Sequence, residues 1–73
     1  MRIEYSDLAL QMMRERNIQP AEVEYCLRNY SVVYPNKYGN RIIYKTNIEG
    51  RPIKVKVVAH KHPLIITTVE DSE

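Results

Sequence analysis

The chain has no tryptophan and no phenylalanine, and only two glycines and one cysteine among its 73 residues. With Cys26 as the single thiol, no internal disulfide can form. One cysteine and two histidines in a short stretch, His60 and His62, do not make a tetrahedral zinc set, so no metal and no cofactor is expected. No run approaches the ~18 apolar residues of a membrane span. Arg2, Glu4 and Asp7 interrupt any start resembling a signal peptide. An unpaired thiol fits a reducing compartment, and the expected setting is cytoplasmic, with no membrane contact. Repeats, low-complexity tracts and linkers are missing, which leaves one domain over residues 1–73. A chain this short buries only roughly 60–65% of its unfolded surface. A homodimer or a complex with another chain is therefore an expected source of further buried area.

What the chain does have is unevenly placed charge. The net charge is only +2. Residues 31–66 carry seven cations (Lys37, Arg41, Lys45, Arg51, Lys54, Lys56, Lys61) against one anion, Glu49. Residues 1–30 carry four cations against five anions. The two parts also differ in periodicity, which changes near residue 30 from 3.6 to 2.

The first part predicts two helices. Ser6 is a good N-cap for a helix over 7–16, and Asp7 puts a negative charge on its first turn. Tyr5, Leu8, Ala9, Met12, Met13 and Arg16 follow helical spacing and define its expected inner face. Asn17 tolerates the left-handed conformation that ends a helix. Pro20 suits the first position of a second helix over 20–29. Ile18 and Val23 have the spacing of a hydrophobic staple across its start. Val23, Cys26, Leu27 and Tyr30 form a second apolar stripe. The short connection makes an αα-hairpin.

The second part predicts strands. Val32-Val33-Tyr34 is short, and Pro35 puts it on a sheet edge because proline cannot donate to a ladder. Arg41–Asn47, Pro52–Ala59 and Leu64–Val69 follow, separated by turns at Gly39-Asn40, Asn47–Gly50 and Lys61–Pro63. Residues 70–73 are expected to fray. If Glu49-Gly50 is a two-residue loop, Tyr44 faces Val55 and Ile42 faces Val57 in the core. If Gly50 closes a bulged turn, Tyr44 stands on the outer face beside Lys54. The first register keeps Arg41 and Lys45 with the other cations in solvent. The expected class is α+β, an N-terminal αα-hairpin packed on one face of a four-stranded antiparallel β-meander.

The uncovered face of that sheet would carry the cations. Arg41, Lys45, Lys54 and Lys56, with Arg51 at the rim, are the candidate nucleic-acid-binding residues, since clustered lysine and arginine neutralise phosphate. His60 is the best catalytic candidate, because its ordinary pKa lies near working pH and the alternation puts it on the face of Lys54 and Lys56. The plain reading of the lysines is a solvated face that discourages aggregation. The six aromatics are all tyrosine. Tyr34, Tyr38 and Tyr44, near the cations, are suited either to stacking on bases or to a protein interface.

Met13-Arg14-Glu15-Arg16-Asn17-Ile18 resembles the R-M-x-x-R-G-I run of the family called domain of unknown function 4258. The likeness continues through Val23, Leu27-Arg28-Asn29, Val32–Pro35, Gly50–Val55 and Ile66-Thr67. That family is similar in fold to the RelE/BrnT toxins of bacteria and archaea. The resemblance implies a RelE-like fold, RNA that is cut or bound, and a small antitoxin as partner. Metal-independent cleavage would need a base, a cation and an acid, roles open to the Lys, Arg, His and Tyr residues near the sheet. Leu8, Met12 and Asn17 depart from the family pattern of His, Arg and Gly at those places. Loss of that His and Arg favours the other reading, a non-catalytic interaction domain of the same fold.

Overall fold

Helix α1 (Asp7–Arg16) starts where Ser6 turns the backbone, and its hydroxyl accepts the Ala9 N–H at 3.0 Å. The computed structural model describes residues 2–72. Asn17 adopts φ 53°, ψ 49°, and this left-handed step lets the Ile18 N–H return to the Met13 carbonyl at 2.9 Å. Helix α2 (Pro20–Arg28) follows at once. Its first turn is closed by the Gln19 N–H donating to the Glu22 carboxylate at 2.8 Å. Ile18 and Val23 are both buried, as the staple requires.

Five strands form one sheet: β1 (Ile3–Tyr5), β2 (Val32–Pro35), β3 (Arg41–Ile48), β4 (Arg51–Val58) and β5 (Leu64–Asp71), in the order β1-β5-β4-β3-β2. The expected four-stranded meander is therefore incomplete. β1 adds a fifth strand at the edge and runs parallel to β5, with Ile3 opposite Leu64 and Tyr5 opposite Ile66. Three residues are too few to display a period, and their partner lies at the other end of the chain. β2 is the opposite edge strand, as Pro35 indicated.

Glu49 (φ 51°) and Gly50 (φ 85°) both have positive φ, the signature of a two-residue type I′ hairpin turn. The Asn47 side-chain oxygen accepts the Gly50 N–H at 2.8 Å and steadies it. This turn sets the register: Tyr44 lies opposite Val55 and Ile42 opposite Val57. A bulge interrupts the β4–β5 ladder. Lys56 pairs with Thr68 and Val57 with Ile66, leaving Thr67 as the extra residue, and its hydroxyl donates to the Lys56 carbonyl at 3.1 Å.

The helices and one sheet face enclose the core. Ala9, Met13, Ile18, Val23, Cys26 and Leu27 meet Ile53, Val55, Val57, Ile66 and Val69. α1 lies mainly over β5, and α2 over β3 and β4. Two expectations about the helices need correction. Leu8 is 53% exposed, because the buried line of α1 runs through Ala9 and Met13, where the small alanine lets the helix approach. Tyr30 lies beyond the end of α2, exposed, with its ring edge-on to Tyr44 at 5.3 Å. The expected frayed tail is also corrected. Glu70 and Asp71 belong to β5, and the Ser72 N–H donates to the Pro52 carbonyl at 3.0 Å. Glu73 lies outside the described residues. No helix among the described residues is long and apolar enough to cross a membrane.

Candidate nucleic-acid interface

Alternation sorts the side chains of the sheet. On β4, Ile53, Val55 and Val57 enter the core, so Lys54 and Lys56 point to the other face. On β3, Tyr44 and Ile42 pack on the core side, so Arg41, Ile43 and Lys45 share the lysine face. The register sets Lys45 directly opposite Lys54, and Ile43 opposite Lys56. β2 adds Tyr34, opposite Ile43, and Val32, opposite Lys45. Four of the five expected cations thus occupy one face on two neighbouring strands.

Like charges directly opposite each other on a sheet repel. Two devices offset this repulsion. Lys54 Nζ bonds to Glu70 Oε1 at 2.7 Å, and Lys45 Nζ lies 5.4 Å from the centre of the Tyr34 ring. The hydrogen bond from Lys54 holds the Glu70 carboxyl below the usual carboxylate range. Partial burial opposes that shift, and the fields of Lys54, Lys56 and Arg16 add to it. Among the described residues, Lys56 and Arg41 form no ion pair. Ile43 is buried to 6% on this face without any helix above it. Its cross-strand neighbours are Tyr34 on β2 and Lys56 on β4. The acids lie to one side: Glu70 on β5 and Glu4 on β1, opposite Ile65. The cationic track therefore follows β3 and β4 towards the β2 edge and does not cross the whole sheet.

Arg51, the fifth expected cation, is elsewhere. It sits opposite Ile48 at the hairpin end, and its guanidinium turns towards the helices. Nε donates to Asp71 Oδ1 at 3.1 Å, Nη1 to the Asn17 carbonyl at 3.0 Å, and Nη2 to the Arg16 carbonyl. Glu22 lies 4.0 Å away. Positive charge at the C-terminus of α1 complements the helix dipole. Arg51 is a fastener between helix and sheet and lies apart from the cations of the open face.

His60 also leaves the expected array. β4 ends at Val58, and His60 stands exposed in the turn with φ 58°, so strand alternation no longer aims it beside Lys56. His62 is exposed in the same turn and, with Arg2, Pro63 and Leu64, lines a cavity of about 480 Å³ at that end of the sheet. No cluster of three or more His, Cys, Asp or Glu side chains arranged to hold a metal occurs among the described residues. Cys26 is buried in the core, and burial pushes its thiol up to about 11.

Of the three tyrosines near the cations, Tyr34 lies on the lysine face and Tyr38 is 77% exposed in the β2–β3 turn, with Lys37 Nζ 5.3 Å from its ring centre. Tyr44 lies on the core side beneath Tyr30. Glu70 is the member of the site that sequence reasoning missed. The bulge hides it from simple alternation: Ile66, Val69 and Asp71 point one way only because the register shifts at Thr67, and Glu70 points the other.

A family model described as domain of unknown function (DUF4258) matches residues 5–71, an interval that holds both helices and strands β2 to β5. No curated protein and no solved structure matches the chain.

Proposed function

The chain belongs to the family described as domain of unknown function DUF4258, and we propose that it is a toxin-like module that binds RNA through the cationic face of its sheet. Lys45, Lys54, Lys56 and Arg41 contact the phosphate backbone. The observation that carries this reading is the register that sets Lys45 opposite Lys54 on a face that no helix covers. Glu70 and the Tyr34 ring offset the repulsion of this pair only in part, and a phosphate between the ammonium groups offsets it further. The resemblance to the RelE/BrnT toxins supports RNA as the polyanion and a small antitoxin as its counterpart.

Metal-independent cleavage is a separate step and needs a base close to the bound phosphate. His60 remains the candidate. It stands in the turn beyond the end of β4 with φ 58°, outside the strand alternation that places Lys54 and Lys56. That placement supports binding over turnover. The test is a gel shift on an unstructured RNA, with RNA integrity read from the same lanes. Changing Arg41, Lys45 and Lys56 together to Glu abolishes the shift and relieves any growth arrest on expression. An unchanged shift would remove the reading. His60→Ala leaves the shift intact and separates binding from cleavage.

A second reading has its own support. Val32, Val33 and Tyr34 are exposed on the edge strand, beside exposed Tyr30. The Asn36 N–H donates to the Arg41 carbonyl, so antiparallel alternation turns the backbone of Val32 and Tyr34 towards β3 and that of Val33 to the open edge. A second copy or an antitoxin-type partner adding there makes the chain an interaction domain without catalysis. Val33→Lys then converts a dimer into a monomer in sedimentation, with RNA binding unchanged.

A further inference from the structure

Resting on the RNA reading above, we propose that the site selects single-stranded over double-stranded RNA, with Tyr34 and Tyr38 as the platforms on which unpaired bases stack. The phosphate-facing lysines cannot make this choice, because both forms of RNA present phosphates. The rings beside them can. Tyr34 lies on the lysine face in one cross-strand row with Ile43 and Lys56. Lys45 Nζ is 5.4 Å from its centre. Tyr38 stands 77% exposed at the tip of the β2–β3 turn, with Lys37 Nζ 5.3 Å from its ring centre.

Each ring is thus paired with an ammonium on a long flexible stem. A base that stacks on the ring brings its phosphate within reach of that ammonium, which exchanges a weak contact with the ring for a charge-assisted bond. Strand spacing of about 4.8 Å puts Tyr34 roughly 10 Å from Lys56 across the sheet, so one strand of RNA meets base platform and phosphate contact together. Glu70 and Glu4 stand on the same face towards the β1 edge and steer the strand towards the β2 edge. In a duplex the base faces are stacked inside, and Tyr34 and Tyr38 gain nothing from it.

The rings also need an explanation if no base is involved. A tyrosine as exposed as Tyr38 adds nothing to the core, and no hydrogen bond holds its hydroxyl to any described residue. Stacking on a base is worth on the order of tenfold in affinity per ring.

The experiment is fluorescence anisotropy with a labelled unstructured 12-nucleotide RNA and with the duplex of the same sequence, at two salt concentrations. The proteins are the wild-type chain, Tyr34→Leu, Tyr38→Leu, the double variant, and Lys45→Gln as a charge control. The wild type binds the single strand at least tenfold more tightly than the duplex. The double Leu variant loses roughly tenfold or more for the single strand, with its duplex affinity and salt slope unchanged. Equal wild-type affinity for the two RNAs overturns the selection. So does a double Leu variant that binds the single strand like wild type. In those cases a Lys45→Gln loss on both RNAs leaves the phosphate reading standing. Absence of wild-type binding to either RNA defeats both.

Discussion

Arg51 and Asp71, twenty positions apart, meet through an Nε–Oδ1 bond of 3.1 Å that ties the start of β4 to the end of β5. The remaining guanidinium donors hold the carbonyls of Arg16 and Asn17 at the end of α1. One side chain therefore joins the helix layer to two strands. Arg51→Met should cost about 1–2 kcal/mol in urea denaturation, since it strands two carbonyls and a carboxylate at a half-exposed site. RNA affinity should stay within twofold of wild type. A stable variant with lost RNA binding would return Arg51 to the phosphate-facing set.

Glu70 holds Lys54 and restrains it. Its carboxyl titrates below the usual range because Lys54 is hydrogen-bonded to it. A depressed folded value stabilises the protein at pH above the unfolded value of about 4.3, and that stabilisation is lost as the pH falls through the folded value. Glu70→Gln should therefore flatten the loss of stability between neutral and acid pH in denaturation curves. It should also strengthen RNA binding several-fold at low salt, by freeing one ammonium and removing one negative charge.

Gly50 carries φ 85° in the turn that sets the β3–β4 register. A Cβ there meets no neighbouring atom, so the penalty for Ala is conformational and not steric crowding. Gly50→Ala should cost about 1–2 kcal/mol on thermal or urea unfolding. Because the register aligns Lys45 with Lys54, any slip in this turn would turn Lys45 towards the core. Retained RNA binding in Gly50→Ala indicates that the register survives.

Cys26 should be inert in the folded chain. Its thiol is buried, donates to the Tyr44 carbonyl at 3.6 Å, and is pushed up to about 11 by burial. Iodoacetamide at pH 8 should label it only slowly in buffer and promptly in denaturant, as read by mass spectrometry. Fast native labelling would mean that α2 opens from the sheet.

The parts of the fold that were legible in the sequence are those governed by neighbours. Ser6, Asn17 and Pro20 mark helix ends because caps act within three or four residues. Gly50 marks a turn because glycine accepts positive φ at low cost, whereas Glu49 at φ 51° does not, and this is why two registers stayed open until the ladder itself was seen. The lysine face followed from period-2 alternation once the register was set. Arg51 was misplaced because its partners at Arg16 and Asn17 lie 35 and 34 positions away, and alternation alone put it at the sheet rim. Glu70 was missed for a related reason, since an acidic chain end resembles a loose tail until Lys54 is seen beside it. β1 stayed hidden because a three-residue strand owes its existence to Leu64–Ile66 and not to its own pattern.

The central claim is that ammonium groups on the open sheet face neutralise RNA phosphates, and the salt dependence of binding measures this directly. For an unstructured single-stranded RNA, each phosphate contact contributes about −0.7 to the slope of log K against log salt. The wild-type chain should show a slope of about −2 to −3, and Lys45→Gln/Lys56→Gln should reduce its magnitude by about 1.4. A slope near zero, or one unchanged in the double variant, would contradict the account.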